Sequence, residues 1–413
     1  MDADILIAGA GPAGLAAGLA LARLGKRIVV AGPADDRLSA RTVALFDGSV
    51  RFLAALGVWD RIAPRAAPLA TMRIVDDTGS LFAHRPTDFK ASETGLEQFG
   101  FNIENADLTR ALEAALAEEP NVRRRHDLVT GYDFEAECCR VGLANGETIE
   151  VQLVVAADGR ASPARAAAGI GVREWAYPQV AFTALLDHAI AHGDASTEFH
   201  TREGPCTFVP LPATETSTHR SSLVWMMRPA HADQLRALSD ADLARAIEKQ
   251  SYHLLGKITL ARRGAFIPIQ GLSARAMTAP RLALVGEAAH VFPPIGAQGL
   301  NLGLRDVAHL AEYIERLQPD DAGARHVLDA YERARHGDVL SRQIAVDLLD
   351  RTLLAGFLPV DILRAAGMAA LTTIAPLRRF AMREGVLPGV GAPDVMRQPD
   401  QRAQSRPVLP GAQ

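Results

Sequence analysis

The chain has 413 residues, more than one compact core ordinarily holds, so at least two packed lobes are expected. Hydrophobic residues make up 48% and charged residues 22%, the profile of a soluble globular protein, while a formal net charge of -4 excludes the basic field that nucleic acid binding requires. Three cysteines with no C-x-x-C pair cannot frame a disulfide scaffold, which points to a reducing cytoplasm.

Residues 4–8 (DILIA) read as a buried parallel strand, 14–25 as an Ala/Leu-rich helix stopped at Gly25, and 27–31 as the next strand, together one βαβ unit. The uncharged stretch 5–22 is neither a membrane span nor a signal peptide, because Gly-x-Gly-Pro breaks it and Asp2 and Asp4 stand where a signal carries positive charge. Between strand and helix lies GAGPAG, 9–14, in which Gly9, Gly11 and Gly14 permit a tight turn and bring the backbone close to a pyrophosphate at the helix N-terminus. Pro12 and Ala13 complete this turn, which is the mark of a dinucleotide site. The second strand should end in an acidic residue for the adenosine ribose, but Gly32 stands there, with Asp35 and Asp36 following in a loop. Arg123, Arg124 and Arg125 read as a solvated surface strand or loop.

Two further apolar runs, 151–159 (VQLVVAADG) and 281–290 (RLALVGEAAH), share the character of the first strand and are expected in the same parallel sheet. Between them, alternating segments at 179–186, 196–201, 206–211 and 221–227 predict antiparallel strands, from which Phe208, Pro210, Leu211 and Trp225 are candidates for lining a pocket, with plain core packing an equal alternative for each. His188 and His192 have i,i+4 spacing but no third ligand, so no zinc site is expected, and His290 after an apolar run reads as a packed residue. From 299 to 382 the pattern is helical, including 302–317 and 329–355, and the Pro/Gln/Arg-rich end beyond Pro388 is expected to be a flexible tail.

The N-terminal turn, the segment AADGRASPAR at 156–165 and the segment GEAAHVFPPIGAQGLNLGLRD at 286–306 together resemble the single-component FAD-dependent aromatic hydroxylases, the para-hydroxybenzoate hydroxylase-like family. RTVALFDGSVRFLAALGVWDRI at 41–62 and LLGKIT at 254–259 are similar to its ubiquinone-biosynthesis monooxygenases, so the resemblance covers nearly the whole chain. It implies an α/β fold: a Rossmann-like FAD-binding lobe (1–171 and 276–388, the latter with C-terminal helices), a mixed, mainly antiparallel β-sheet substrate lobe at 172–275, and a tail at 389–413.

The resemblance also assigns FAD contacts to Arg41, Asn105 and Asp158, with helix capping an alternative for Asn105 and a turn-holding role an alternative for Asp158. Ser162 and Arg165 read as braces of that turn. The family's Gly-Asp pair for the ribityl chain corresponds to Gly286 and Glu287, where glutamate keeps the acceptor oxygens but is one methylene longer. Pro294, Gly296, Ala297, Gln298, Gly299, Leu300 and Asn301 would form the loop and helix start against the isoalloxazine ring, with backbone N–H groups facing the edge that gains negative charge on reduction.

The activity so implied is monooxygenation of an aromatic ring through a flavin C4a-hydroperoxide, with FAD, O2 and NAD(P)H or another electron donor. No catalytic side-chain set and no metal are expected. The substrate is expected to be a prenylated phenol of ubiquinone biosynthesis, and part of the apolar stretch 353–380 is a candidate for peripheral membrane or quinone-biosynthesis complex contact, with packing on the FAD lobe an equal alternative. Hydroxylation of a soluble aromatic metabolite is an alternative, and Gly32 and Glu287 raise a second, a non-catalytic subunit that keeps the fold.

Overall fold

The computed structural model describes residues 1–33, 40–79, 85–294, 296–354, 370, 373–386 and 391–398. Four short apolar strands, Ile5–Ala8, Ile28–Ala31, Leu153–Ala156 and Leu282–Leu284, are buried along their whole length, as strands covered on both faces must be. With Val122–Arg125 they make a parallel sheet, and Thr278–Ala279 joins its edge antiparallel to Leu282–Leu284. Ala8 is level with Ala31 and Ala156, and Ala156 with Leu284, so the loops after all four strands leave from one edge. That edge is where open α/β sheets bind ligands.

The Pro12–Ala22 helix starts with Pro at its first turn and is buried from Gly14 onward. A Cβ at Gly18 would stand 2.8 Å from Val30 Cγ2, so its missing side chain is what lets the helix lie close on the sheet. The 20-residue Gln298–Leu317 helix packs beside it, with Leu304, Val307, Ala308, Leu310 and Ile314 in the shared core.

A second sheet of eight strands is antiparallel except where Ala195–Thr201 runs parallel to Thr71–Asp76. Two 17-residue strands, Val172–His188 and Ile258–Ala274, form its spine. Thr71–Asp76, Thr87–Lys90 and His290–Val291 join this sheet from outside 172–275. On one face, Phe182, Phe208, Leu223 and Trp225 pack on the Pro229–Arg236 and Asp240–Gln250 helices. The opposite face meets the parallel-sheet lobe: Thr42 Oγ1 donates to Ser222 Oγ at 2.9 Å, Asn102 Nδ2 to Pro210 O at 2.9 Å, and Arg220 and Arg262 pair with Glu104 at 3.1 and 3.3 Å.

The structure decides two open readings and divides one expected strand. Phe208 and Trp225 belong to the helix-covered face, Trp225 with its ring 5.3 Å from that of His231, so they are core and line nothing between the lobes. The run 151–159 divides, because Thr148–Val151 turns into a separate three-stranded sheet before Leu153 enters the parallel one. The arginine run takes the strand form of its surface reading, at the sheet edge, where Arg124 and Arg125 pair with Glu113 and Glu147 at 3.1 and 3.0 Å. Among the described residues no helix is long and apolar enough to cross a membrane, and most of the 353–380 stretch lies outside the described residues.

Candidate functional site

The loop 9–14 owes its form to two glycines that face protein and one that faces outward. At Gly9, φ is +110°, and a Cβ would stand 2.2 Å from Ala157 O and 2.9 Å from Asp158 N; a Cβ at Gly14 would stand 2.1 Å from Gly9 O. Around a Cβ at Gly11 nothing lies within 4 Å, and Gly11 is exposed at the N-cap of the Pro12–Ala22 helix. The turn is therefore closed against Asp158 and open toward an anion at the helix N-terminus.

Asp158 Oδ2 accepts from the Ala164 N–H at 3.1 Å, the turn-holding role, while Oδ1 is buried without a partner. Burial raises the carboxyl above its ordinary range. Ser162 Oγ caps the Pro163–Ala167 helix by accepting from Arg165 N at 3.1 Å, and Arg165 donates to Ala288 O at 2.7 Å and Arg160 O at 2.9 Å. Both residues brace the turn, and Arg165 ties it to the third segment.

That segment turns at Gly286, with φ +59°, which a glycine adopts without strain. A Cβ at Gly286 would be 3.6 Å from Ala13 Cβ, and the Gly303 site would come within 3.1 Å of Gly286 Cα, so the turn sits over both helices. Glu287 extends outward, 57% exposed, with Oε1 3.9 Å from Arg41 Nη2. The Arg41 carbonyl in turn accepts from Asn105 N at 3.0 Å. Asn105 is the first residue of the Asn105–Leu116 helix, whose N-cap is Glu104 with no side-chain cap bond, so Asn105 does not cap it, and its buried Oδ1 has no partner. Arg41, Asn105 and Glu287 are thus brought together, and Gly286 joins them to Ala13 in the glycine turn.

At the start of the Gln298–Leu317 helix, Gly296 (φ +65°) and Ala297 (φ +52°) are both left-handed, which for alanine costs roughly 1–2 kcal/mol. Pro294, Gly296 and Gly299 are exposed, a Cβ at Gly299 would meet nothing within 4 Å, and Leu300 packs half-buried on the core. Gln298 Oε1 accepts from Arg342 Nη1 at 2.9 Å. Asn301 uses all four hydrogen bonds inside the protein: Nδ2 donates to Ala44 O and Ala297 O at 2.7 and 2.6 Å, and Oδ1 accepts from Phe46 N and Ser49 Oγ at 2.9 and 2.7 Å. Its side chain fixes the helix start against the Thr42–Phe46 strand, leaving only its backbone for a ligand.

Beneath these loops lies a buried ionic network that sequence reasoning missed. Asp306 Oδ2 accepts from the Gly286 N–H at 2.8 Å and lies 2.8 Å from His290 Nε2, while Oδ1 accepts from Arg335 Nε at 2.6 Å. Burial opposes the charge on Asp306, but His290 and Arg335 outweigh it and hold the carboxyl below its usual range. Asp338 gathers Arg305, Arg335 and Arg342 at 2.9, 2.5 and 3.0 Å, and through Arg342 the chain of contacts ends at Gln298. The signal in the sequence was Arg305 and Asp306 falling on the apolar face of a helix. His188 and His192 serve local bonds, His188 to Ile190 O and Ser221 Oγ at 2.8 and 3.0 Å, His192 Nδ1 accepting from Asp194 N at 3.0 Å.

This arrangement fits FAD. The open face at Gly11 suits a pyrophosphate, and the unpartnered oxygens of Asn105 and Asp158 are acceptors that sugar or ribityl hydroxyls would satisfy. The second strand offers no carboxylate: Gly32 approaches Ala10, where a Cβ would lie 3.0 Å from Ala10 N, and its carbonyl accepts from Arg124 Nη1 at 2.8 Å. Asp35 and Asp36 lie outside the described residues.

Residues 2–342 match the family model described as FAD binding domain. The chain is 32% identical over 395 residues to the ubiquinone hydroxylase UbiL of Rhodospirillum rubrum, covering 93% of this chain and 89% of that protein. It is 33% identical over 393 residues to the 3-demethoxyubiquinol 3-hydroxylase of Escherichia coli, covering 92% and 97%. Among solved structures, the p-nitrophenol 4-monooxygenase PnpA of Pseudomonas putida has the same fold, with a TM-score of 0.74 at 20% identity, covering 92% of this chain and 96% of that one. The chain belongs to the FAD binding domain family and is an FAD-dependent monooxygenase.

Proposed function

We propose that this protein hydroxylates a ring carbon of a phenolic ubiquinone precursor carrying a prenyl tail, with O2 as oxidant and NAD(P)H as reductant. One oxygen atom enters the ring, the other leaves as water, and NAD(P)H supplies the two electrons that balance them. The reading is carried by the convergence of the glycine turn, Asp158 and the Gly286 turn on one sheet edge, in a chain similar over most of its length to ubiquinone hydroxylases.

Bound FAD would supply activation of O2. Gly9, Gly11 and Gly14 would hold its pyrophosphate, Arg41, Asn105, Asp158 and Glu287 its hydroxyls and phosphates, and the backbone from Pro294 to Asn301 would approach its ring. The left-handed Gly296–Ala297 pair and the Asn301 clamp present the N–H groups of the Gln298–Leu317 helix in a fixed orientation. The substrate would enter between the two lobes and shield the reacting carbon from water. Contact with a membrane or a quinone-biosynthesis assembly would deliver the prenylated substrate.

The test is NAD(P)H oxidation by purified holoprotein with and without a short-tailed prenylphenol, under isotopically heavy O2. The expected result is stimulated oxidation and one heavy oxygen atom in the product ring. Peroxide release with every phenol tried, and no labelled product, would refute the reading.

A further inference from the structure

The face of the eight-stranded sheet that meets the parallel-sheet lobe carries a polar group that nothing described so far uses. Along Ala195–Thr201, Glu198 and His200 share one side, and Thr207 lies opposite Glu198 on Gly204–Leu211. His200 Nε2 is 2.7 Å from Glu198 Oε1, and Thr207 Oγ1 donates to Glu198 Oε2 at 3.1 Å. Strand register fixes which way they face: Thr207 pairs with Val224, two residues from Ser222, and Ser222 touches Thr42 and Asn102 of the other lobe.

Part of this face keeps accessible surface. Cys206, Phe208, Leu223 and Trp225 on the helix-covered face are buried, whereas Thr207, Val209 and Val224 on the inner face, with Ile74 on the adjoining strand, are only partly so. Glu198 keeps 22% of its side-chain surface accessible, and His200 keeps 11%. Beside it on this face Val209, Val224 and Ile74 are apolar, while Thr183 next to Val224 and Asp76 next to His200 are polar.

We propose that Glu198, His200 and Thr207 anchor the ring hydroxyl of the aromatic substrate and hold its proton during oxygen transfer. The proposal rests on the phenolic reading above. The O–H bond of the phenol breaks, its proton passes to the Glu198–His200 pair, and the electron pair left on oxygen enriches the ring carbon that bonds the incoming oxygen atom. That carbon then loses its hydrogen to solvent as a proton, and the pair returns its own proton to the phenolic oxygen, ending unchanged.

Holoprotein is titrated with a short-tailed prenylphenol and with the methyl ether of the same compound, binding being followed by perturbation of the flavin spectrum. A hydroxyl donating to a charged partner gives the phenol an advantage of about 10- to 100-fold over the ether. Glu198→Gln and His200→Phe are expected to bring the two compounds close to parity with unchanged FAD affinity, and Thr207→Val to reduce the advantage in part. If one variant does not fold, the others decide. Equal binding of phenol and ether by the parent protein, or retention of the phenol's advantage in the folded variants, overturns the proposal alone. If neither compound perturbs the flavin, the phenolic reading itself fails and the proposal falls with it.

Discussion

The two outermost contrasts in the glycine turn give a prediction with separable parts. In Gly9→Ala the new methyl would stand 2.2 Å from Ala157 O and 2.5 Å from its carbonyl carbon, backbone atoms that cannot swing aside, at a φ of +110°. Left-handed strain of roughly 1–2 kcal/mol and overpacking of roughly 1–3 kcal/mol together cost about 2–5 kcal/mol. In Gly11→Ala the methyl meets nothing within 4 Å, and φ of -74° suits alanine, so the FAD-free protein should melt as the parent does. That methyl occupies the space a pyrophosphate would take, so FAD affinity should fall at least about tenfold, or about 1.4 kcal/mol. Thermal unfolding without FAD, paired with FAD titration by fluorescence quenching, separates the two effects. Parent-like stability in Gly9→Ala, or parent-like FAD affinity in Gly11→Ala, would show that the turn is not the cradle described.

Asn105→Ala removes a buried oxygen that has no partner, so it should leave the FAD-free melting temperature unchanged or raised while weakening FAD binding by about 0.5–1.5 kcal/mol; equal affinity would exclude Asn105 as a contact. Arg335→Met leaves Asp306 buried without its 2.6 Å partner and should cost about 3–5 kcal/mol, whereas Asp306→Leu combined with Arg335→Met should cost less than the sum, as read from denaturant melts. His309 is held neutral, its pKa lowered from 6.5 to about 4 by burial and then by Arg335. The unfolded chain takes up the proton first, so stability present above pH 6.5 is lost as pH falls toward 4, by about 3 kcal/mol. His309→Gln, which keeps a donor for Gly391 O, should flatten that slope; an unchanged slope would remove His309 as its source.

Much of the parallel lobe was legible because its strands are buried on both faces and read as unbroken apolar runs that stop at glycines. The Asn301 clamp, the orphaned oxygen of Asn105 and the Asp306–Arg335 pair were not legible. Each depends on a partner far along the chain, such as Phe46 for Asn301 or Gly286 for Asp306, and no local pattern encodes such a distance. Phe208 and Trp225 show the same limit from another side. Alternation marks two faces of a strand, but whether helices or a cavity cover a given face depends on where the 229–250 segment folds back.

The sequence by itself therefore determined a dinucleotide turn, a parallel core and a family resemblance, because glycine geometry and hydrophobic period are local properties of the chain. Only the tertiary structure decided which glycines face protein and which faces ligand space, which polar side chains are spent on bracing, and which face of the second sheet meets the flavin lobe. Those are matters of packing between segments remote in sequence: Gly9 against Ala157, Ser222 against Thr42, and Glu198 on the same side of the sheet as Ser222.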